Sequence, residues 1–559
     1  MQDKIRNLIQ EALKNLNIED VDFVVEHPED LKNGDYSTNV AMAGAKKLKT
    51  NPKELAEKIV QILPKPGFGK IEAVGGFINF YLSPEYFFNR TKEILKLGDE
   101  YGKLKIHQGR KILVEHSSPN LFKPFHIGHV MNNAIGESIN RLARFSGADV
   151  TTISYPSDVS LGIGKAVWAL LDGGLDKLNE LNSEAEKLAY LGSCYVAGTK
   201  ALESDPSLEA RMREITKIIY EAQPSPEYDA YKIGREINLS YFQSITKRLG
   251  STFESFIFES EAGREGEKLV KANIGDIFEN SEGAVVYKGE QDGLHTRVFI
   301  NKEGYPTYEA KDVGLLSLKF SRYNPDLSVF VTDHEQSEYF RVVVSAAGKI
   351  NKEWKEKTIH RTHGRMSFKG QKMSSRLGGV PLAVDILEAL LVEVADRTKD
   401  RPDDGVTENR DAIAIGALKF TILKSVAGKN INFDPETSLS FEGDSGPYLQ
   451  YSTVRANSVF KKVNFDAGVI AQPAVVTDVE KYLDRFEEVV AKCINLWEPH
   501  HMVDYLLDLA QAFNTWYVKV KIIDEANKDM AYNLAIVKNF HTTMKNGLHL
   551  LGIEAPEKM

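Results

Sequence analysis

The sequence has few cysteines and no long apolar run, and both absences limit what the protein can be. Only Cys194 and Cys493 occur among 559 residues, and no CxxC pair is present. A disulfide framework and a structural zinc site are therefore not expected, and a reducing compartment suits this composition. No stretch approaches the roughly 18 consecutive apolar residues that a membrane helix requires. We therefore expect a cytoplasmic protein that does not contact the membrane.

Strong charge and internal repeats are also missing. The formal net charge of −9 argues against affinity for nucleic acid over the whole surface, although a local basic face is still possible. The first 16 residues are amphipathic, but they contain Asp3 and Glu11 and lack a small-residue cleavage end. We interpret them as the first helix of the fold and not as a targeting peptide. The length exceeds what one core can hold, so about two to four domains are expected.

The patterns of hydrophobicity divide the chain into three regions. Residues 1–105 combine helical periodicity with the alternating stretch 75–82, which predicts a small α+β domain. Residues 106–385 alternate strand and helix patterns, which is typical of a Rossmann-like domain with a parallel sheet, and a mostly helical insertion occupies about 160–295. Residues 386–559 carry helical periodicity almost throughout, which predicts an all-α helix bundle.

Two histidines stand three apart where a helix is predicted to begin. His126-Ile127-Gly128-His129 follows the apolar strand pattern 111–115 and opens the helical pattern 127–145. A helix N-terminus offers unpaired N–H groups and the positive end of the helix dipole, so it suits phosphate. Gly128 leaves room for a nucleotide against the backbone. Histidines at this spacing also occur in metal half-sites and on ordinary surfaces, but the flanking loop 117–120 and the glycine favour a nucleotide.

A second polar segment, 369–379, carries Lys372 between glycines. Glycines allow a loop to move, and a lysine on such a loop can approach phosphates. A mobile cation would stabilise the charge that grows on the α-phosphate and on a departing pyrophosphate. A lysine-rich loop on its own is usually solvated surface. The two segments together predict a site for phosphoryl chemistry.

These two segments resemble the signature motifs of class I aminoacyl-tRNA synthetases, and their surroundings resemble the arginyl-tRNA synthetase family. The resemblance extends over essentially the whole chain and is carried by these segments: 34–41, 117–120 with Lys123-Pro124, 126–129, 372–375, 446–451, 550–553 and 556–559. It implies an arginine–tRNA ligase. Such an enzyme uses ATP to convert L-arginine to arginyl-adenylate and transfers the arginyl group to the 3′-terminal adenosine of tRNA(Arg), releasing AMP and pyrophosphate. It further implies Mg²⁺ bound with the nucleotide, no structural zinc, and a monomer.

The resemblance also implies which residues bind arginine: Glu115, Asn120, Tyr308, Asp312 and Gln336. A carboxylate with a hydroxyl partner suits the planar guanidinium group. Tyr308 and Asp312 stand four apart, so they would share one face if this segment is a helix. Glu115 and Asn120 would orient the amino and carboxyl groups of the substrate.

The remaining roles implied by the resemblance concern ATP and tRNA. The ATP-binding residues would be His126, Gly128, His129, Lys372, Met373 and Ser374, of which His126, His129 and Lys372 would be catalytic. The tRNA-binding residues would be Asn39, Trp516, Tyr517 and Met559. Residues 1–105 would contact the tRNA, and 386–559 would bind the anticodon, since unpaired bases stack on aromatic rings. Packing in the bundle core explains Trp516 and Tyr517 equally well.

The sequence departs from the family pattern at two places. Met131 stands where an arginine is usual, and 155–162 replaces a segment of the type Gly-Asp-Trp-Gly, with only Asp158 able to keep the acidic role. Two other interpretations stay open: a class I synthetase for another amino acid, and a tRNA-binding relative without catalysis. The Tyr308/Asp312 pair favours arginine, and the retained histidines and Lys372 favour catalysis. The additional domains exclude a small nucleotidyltransferase.

Overall fold

The computed structural model describes residues 1–369, 381–399, 407–463, 470–473 and 475–559. The region before residue 102 is an α+β domain, as predicted. Its elements in chain order are α1 (Gln2–Asn15), β1 (Val25–Glu26), β2 (Tyr36–Thr38), α2 (Val40–Leu48), α3 (Pro52–Ile62), β3 (Phe68–Val74), β4 (Phe77–Leu82) and α4 (Pro84–Leu97). The strands form an antiparallel sheet in the order β1-β2-β4-β3. Its core includes Ile9, Val40 and Phe80, which are fully buried.

The following region begins with a βαβ unit, as predicted, and continues into helices. Its elements up to residue 272 are β5 (Lys111–Glu115), α5 (Ile127–Phe145), β6 (Asp149–Ser154), α6 (Leu161–Gly173), α7 (Leu175–Glu180), α8 (Glu184–Ser204), α9 (Glu209–Glu221), α10 (Pro226–Arg248), β7 (Ser255–Phe256) and α11 (Glu259–Ala272). The predicted helical insertion is thus built from α6 to α10. Its apolar core contains Leu170, Leu191 and Ile215.

The α/β pattern then resumes. The elements are β8 (Glu279–Ser281), β9 (Ala284–Tyr287), β10 (Arg297–Ile300), α12 (Tyr308–Tyr323), β11 (Leu327–Asp333), α13 (Ser337–Ile350), α14 (Lys352–Glu356), β12 (Thr358–His363) and β13 (Met366–Phe368). Strands β8 to β10 form a small antiparallel sheet.

A five-stranded parallel sheet organises this region and confirms the Rossmann-like prediction. Its strand order is β12-β11-β5-β6-β7, and every neighbouring pair is parallel. The chain runs from β5 towards β7 in one direction and from β11 towards β12 in the other. The crevice outside the carboxyl ends of β5 and β11 is therefore the topological switch point, where α/β sheets bind ligands.

The last region is helical in its described part, again as predicted. Its elements are α15 (Ala383–Thr398), α16 (Arg410–Leu423), β14 (Ile431–Phe433), α17 (Pro435–Ser438), α18 (Gly446–Phe460), α19 (Asp478–Asp484), α20 (Phe486–Leu496), α21 (His500–Lys519) and α22 (Met530–Leu550). Strand β14 pairs in parallel with β13. The helical pattern of this region is divided at Arg485, where α19 ends and α20 begins. Among the described helices, none has the length and the apolar character needed to cross a membrane.

Contacts between residues divide the chain into two compact units. One comprises Met1–Gly102, Ser452–Glu488 and Tyr505–Asn546, and the other comprises Lys103–Tyr451, Val489–Asp504 and Gly547–Met559. The last segment packs within the second unit, where the Leu550 carbonyl accepts a hydrogen bond from Ser138 Oγ at 2.8 Å.

Helices α11 and α12 approach each other unusually closely. A Cβ atom added at Gly266 would lie 1.8 Å from the carbonyl oxygen of Ala310, and one added at Gly314 would lie 2.0 Å from that of Ala262. Atoms cannot approach to such distances, so only glycine is compatible with this crossing. The crossing brings the beginning of α11 against α12, which carries the acidic residues of the site.

Candidate active site

The two histidines form the N-terminus of α5. His126 is the N-cap residue, and its Nδ1 accepts a hydrogen bond from the Gly128 N–H at 3.1 Å. Nδ1 of His129 accepts from the His126 N–H, also at 3.1 Å. The imidazole rings stack with their centroids 3.8 Å apart. A Cβ at Gly128 would lie 2.9 Å from His126 Cε1, so the glycine between the histidines is needed for this packing.

These hydrogen bonds fix where each imidazole carries its proton. Nδ1 of both rings accepts a backbone N–H, so the neutral rings carry their hydrogen on Nε2. Burial lowers the pKa of His126, with a further contribution from Lys123, and lowers that of His129 well below the ordinary value, with a further contribution from His126. Both rings are therefore neutral near pH 7. They offer two Nε2–H donors beside a helix N-terminus, an arrangement that suits phosphate oxygens.

Residues 370–380, which include nearly all of the second predicted segment, lie outside the described residues, whereas Lys369 before them and Pro381 after them are described. Lys372, Met373 and Ser374 are in the segment 370–380. Before it, Lys369 binds Asp434 with Nζ 2.8 Å from the carboxylate. After it, the Pro381 carbonyl accepts from the Ile127 N–H at 3.0 Å, and the Ala383 N–H donates to the Phe125 carbonyl at 2.9 Å. The first described residues after 380 are therefore hydrogen-bonded to the turn at His126.

The residues predicted to bind arginine occupy the switch point of the sheet. Glu115 is the last residue of β5, and its buried carboxylate lies 2.8 Å from Nζ of Lys319, which is itself 1% exposed. Asn120 is exposed in the loop after β5, and its backbone forms an isolated β-bridge with Ser157, which follows β6. Gln336 is exposed between β11 and α13.

Asp312 lies one turn into α12, four residues after Tyr308. The segment is a helix, so the expected common face is present. The Asp312 carboxylate accepts a hydrogen bond from the Tyr339 hydroxyl at 2.5 Å. Burial raises the pKa of Asp312 to about 8 against the effect of that hydrogen bond, and the neighbouring carboxylates of Glu115 and Glu259 add to the rise.

The other carboxylates around Asp312 already have cations. Glu259, at the start of α11, binds Lys311 at 2.5 Å, and Glu309 binds Arg297 at 3.3 Å. Glu115 has Lys319, as described above. Among the described residues, Asp312 alone in this group makes no ion pair and is held only by a neutral hydroxyl. When Asp312 is ionised, this group of four carboxylates therefore has three cations among the described residues, and the unpaired charge is on Asp312.

Tyr308 is 64% exposed. Nζ of Lys311 lies 5.2 Å from the centre of its ring. Tyr308 and Lys311 also line a cavity of about 700 Å³ together with α9 residues such as Tyr220 and with the turn at Tyr305. This volume is within the range typical of ligand sites, so the exposed tyrosine has space in which to contact a substrate.

Several residues that shape the site were not predicted. Ser117, the second residue after β5, has a positive φ of 57°. Its N–H donates to Asn132 Oδ1 at 2.6 Å, and its Oγ accepts from Asn133 Nδ2 at 3.1 Å. The two asparagines of α5 therefore hold the strained turn that follows Glu115. Lys319 and Tyr339 were also missed, because each reaches its carboxylate only through the packing of separate elements.

The two departures from the family pattern have structural explanations. Met131 is 1% exposed and packs in an apolar cluster with Ile386, Leu387 and Leu390 of α15. Asp158 accepts hydrogen bonds from the Tyr231 hydroxyl at 2.7 Å and from the backbone N–H of Ser260, near the N-terminus of α11, at 2.8 Å. Asp158 therefore tethers α10 and α11 to the strand end, and its carboxylate is occupied by these bonds.

The predicted tRNA ligands fall in different parts of the chain. Asn39 precedes α2, and its Oδ1 accepts from the Val24 N–H at 3.0 Å. Trp516 and Tyr517 are partly exposed on α21, where both rings lie within 6.1 Å of the Phe513 ring, centre to centre. Met559 packs against the apolar cluster that contains Met131.

One group within the described residues has metal-ligand atoms close enough to share an ion. Donor atoms of Glu498, His500 and His501 lie within 4.8 Å of one another at the start of α21. Burial lowers the pKa of His501, and His500 and the nearby Lys492 lower it further. A cation there would meet the positive end of the helix dipole and that lysine, so the surroundings are unfavourable for a metal ion.

Comparison with known protein families identifies the class of protein. The profile described as the catalytic domain of class I (R) tRNA synthetases matches residues 90–434. The arginyl-tRNA synthetase N-terminal domain matches 3–82, and the DALR anticodon-binding domain matches 449–559. The parallel sheet, the paired histidines at the helix N-terminus and these matches define a class I aminoacyl-tRNA synthetase.

Full-length relatives narrow the class. Arginine–tRNA ligase of Clostridium perfringens is 29% identical over 99% of this chain and 100% of the relative, and that of Exiguobacterium is 30% identical over 98% and 97%. Arginyl-tRNA synthetase of Thermus thermophilus has the same fold, with a TM-score of 0.82 at 24% identity over the whole of both chains. The chain belongs to the arginyl-tRNA synthetase family, whose members use ATP to ligate arginine to tRNA.

Proposed function

We propose that the group around Asp312 is the arginine pocket of this ligase. Asp312 and Tyr308 bind the guanidinium group, with Gln336 as a further pocket residue, and Glu115 and Asn120 orient the amino and carboxyl groups. The observation that carries this proposal is the charge balance: the three carboxylates beside Asp312 have their own cations, whereas Asp312 has none among the described residues. A guanidinium group suits the Asp312 carboxylate because it is planar, permanently charged and rich in donors.

The ATP half of the site is assigned to the start of α5. We propose that Nε2–H of His126 and of His129 donate to the phosphates of ATP and stabilise the in-line transition state at the α-phosphate, while Gly128 allows the nucleotide close to the backbone. Lys372 joins them from its loop and neutralises pyrophosphate, and Met373 and Ser374 contact the nucleotide. Pro381 and Ala383 are hydrogen-bonded beside this turn, which supports the assignment of Lys372, Met373 and Ser374 to the nucleotide.

The reaction then follows in two steps. The arginine carboxylate attacks the α-phosphate of ATP, which gives arginyl-adenylate and pyrophosphate. A ribose hydroxyl of the terminal adenosine of tRNA(Arg) next attacks the activated carbonyl, and AMP leaves. The protein contributes orientation and charge stabilisation. Mg²⁺ enters with the nucleotide, and we expect the phosphates to be its ligands, since the two imidazoles present N–H donors and not lone pairs.

Binding of tRNA is assigned to the N-terminal and C-terminal regions of the sequence. We propose that residues 386–559 bind the anticodon, with Trp516, Tyr517 and Met559 as the candidate contacts, and that residues 1–105, including Asn39, contact the rest of the tRNA. The partial exposure of both aromatic rings on α21 supports base stacking. A monomer in the cytoplasm, with 106–385 as the catalytic domain, completes the proposal.

Charging assays test this function directly. The purified protein is incubated with total tRNA, ATP and each amino acid in turn, and aminoacyl-tRNA is measured. We expect arginine alone to be attached. Attachment of a different amino acid would refute the arginine pocket, and attachment of none, with tRNA still bound, would indicate a tRNA-binding protein without catalysis.

A further inference from the structure

One buried hydroxyl beside the arginine pocket has no partner. Tyr155 follows directly after β6, at the same edge of the sheet as Glu115. Its hydroxyl oxygen is enclosed, and it makes no hydrogen bond with any described residue. A buried polar group without a partner costs stability, and native proteins rarely keep one without a reason.

The surroundings of this hydroxyl are acidic. Burial and then the carboxylates of Asp312, Glu259 and Glu115, in that order, raise the pKa of Tyr155 well above its ordinary value. The hydroxyl therefore keeps its proton. Its ring packs against an apolar cluster that includes Leu113, so the position of the oxygen is fixed before any ligand binds.

The neighbouring acidic groups have other bonds. Glu115 and Glu259 are held by Lys319 and Lys311, and Asp312 is held by Tyr339. What is missing near the Tyr155 oxygen is a donor. A guanidinium has five N–H groups in a plane, and one carboxylate can accept at most two of them in a bidentate pair. A substrate guanidinium bound to Asp312 therefore has N–H groups in excess and needs a further acceptor.

We propose that the Tyr155 hydroxyl accepts a hydrogen bond from the guanidinium group of arginine and is a specificity-determining residue of the pocket. This inference rests on the proposed assignment of Asp312 to the same group. The hydroxyl oxygen has lone pairs for the substrate N–H, and its proton is available to one of the carboxylates beside it. A site built in this way rejects substrates that lack the corresponding donor, because the buried group is then left unpaired.

Tyr155→Phe tests the proposal, because it removes only the hydroxyl. We expect KM for arginine to rise about tenfold, which corresponds to about 1.4 kcal/mol, and KM for ATP to stay unchanged. The thermal midpoint without arginine should be unchanged or higher, since an unpartnered polar group is lost. The increase of that midpoint on adding arginine should become smaller.

Tyr287→Phe is the matched control. The Tyr287 hydroxyl is also buried, but it donates to Asp292 at 2.5 Å and lies 3.3 Å from Ser345 Oγ. Its loss should lower the thermal midpoint and leave KM for arginine unchanged.

Two results would overturn the role of Tyr155. One is a KM for arginine within twofold of the unsubstituted protein, and the other is a fall in kcat and thermal midpoint with no change specific to arginine. Asp312→Asn, measured in parallel, separates the two proposals. If it impairs arginine use while Tyr155→Phe does not, only Tyr155 is excluded, and if neither impairs it, the pocket itself is wrongly assigned.

Discussion

Replacing Asp312 with asparagine removes one negative charge from the proposed pocket and preserves the size of the side chain. The amide oxygen can still accept the hydrogen bond that the Tyr339 hydroxyl makes at 2.5 Å. The substitution thus isolates the charge. A hydrogen bond to a charged group contributes about 1.5–3 kcal/mol, so the affinity for arginine should fall about 10- to 160-fold. The affinity for ATP should not change, because none of the ATP contacts involves α12.

The raised pKa of Asp312 adds a dependence on pH. With a pKa of about 8, the carboxyl is mostly protonated at pH 7 without substrate, whereas a guanidinium binds the ionised form. Binding must therefore release a proton, and affinity should increase as pH rises towards 8 and then level. Between pH 6 and pH 8 the expected gain is about 50-fold. The Asp312→Asn protein has no such group, so its affinity should vary much less with pH.

Isothermal titration calorimetry measures both quantities. Arginine is titrated into each protein at several pH values, and buffers with different ionisation enthalpies report the protons released. Asp292→Asn is the control, because Asp292 accepts the same 2.5 Å hydrogen bond from a tyrosine, Tyr287, but also has Lys349 at 3.3 Å. It should bind arginine like the unsubstituted protein. The reasoning is refuted if Asp312→Asn binds arginine within threefold of the unsubstituted protein at pH 8, or if the latter's affinity is constant from pH 6 to 8.

Three further substitutions test other parts of the site. Lys319→Met leaves the Glu115 carboxylate buried without its cation, and we expect the free energy of unfolding, measured with urea, to fall by about 3–5 kcal/mol. Gly314→Ala places a methyl group against the Ala262 carbonyl at the crossing of α11 and α12, which should cost about 1–3 kcal/mol by the same measurement. Lys372→Ala removes the proposed cation for pyrophosphate, and we expect the rate of adenylate formation in single-turnover assays to fall about 100-fold with arginine affinity unchanged.

Each of these expectations has a clear contrary result. If the free energy of unfolding fell by less than about 1 kcal/mol for Lys319→Met, the Glu115 carboxylate would have to regain water or another partner, although it is buried in the unsubstituted protein. An unchanged unfolding energy for Gly314→Ala would mean that the two helices separate without cost. For Lys372→Ala, a fall in arginine affinity at an unchanged rate would place the lysine in the wrong half of the site.

Local patterns in the sequence predicted most of the elements that position the site. The helix expected at 127–145 and the strand expected at 111–115 have those bounds in the structure, because the apolar pattern there reflects burial. The break at Arg485 was not predicted, since the periodicity runs on through it. The sequence also gave no sign of strand β3, whose residues are partly exposed and do not alternate clearly.

Within the site, sequence reasoning located residues but not their partners. Tyr308 and Asp312 could be related by helical spacing, because that relation is local. The contact between Glu115 and Lys319 joins residues 204 positions apart, and the bond from Tyr339 to Asp312 joins two helices. Such contacts depend on the strand order and on the packing of α12 against β5 and α13, which no local pattern encodes. The Tyr155 hydroxyl, which has no partner among the described residues, likewise results from tertiary packing that no local pattern encodes.

The electrostatics of the two proposed halves predict that arginine, ATP and Lys372 act together. In the proposed assignment, the histidines are neutral and supply directed N–H groups, but little net positive charge opposes the triphosphate. In this assignment, further positive charge comes from Lys123 near His126, from Mg²⁺ and from Lys372. The arginine half has the opposite property: Asp312 is mostly protonated until a guanidinium provides the charge that makes its ionisation favourable. With this distribution of charge, the empty site contains little uncompensated buried charge. In the proposed assignment, its electrostatic field is complete only when arginine and ATP are bound and Lys372 contacts the phosphates. Amino acids with an uncharged side chain leave Asp312 neutral, so rejection of those amino acids and completion of the field are one event.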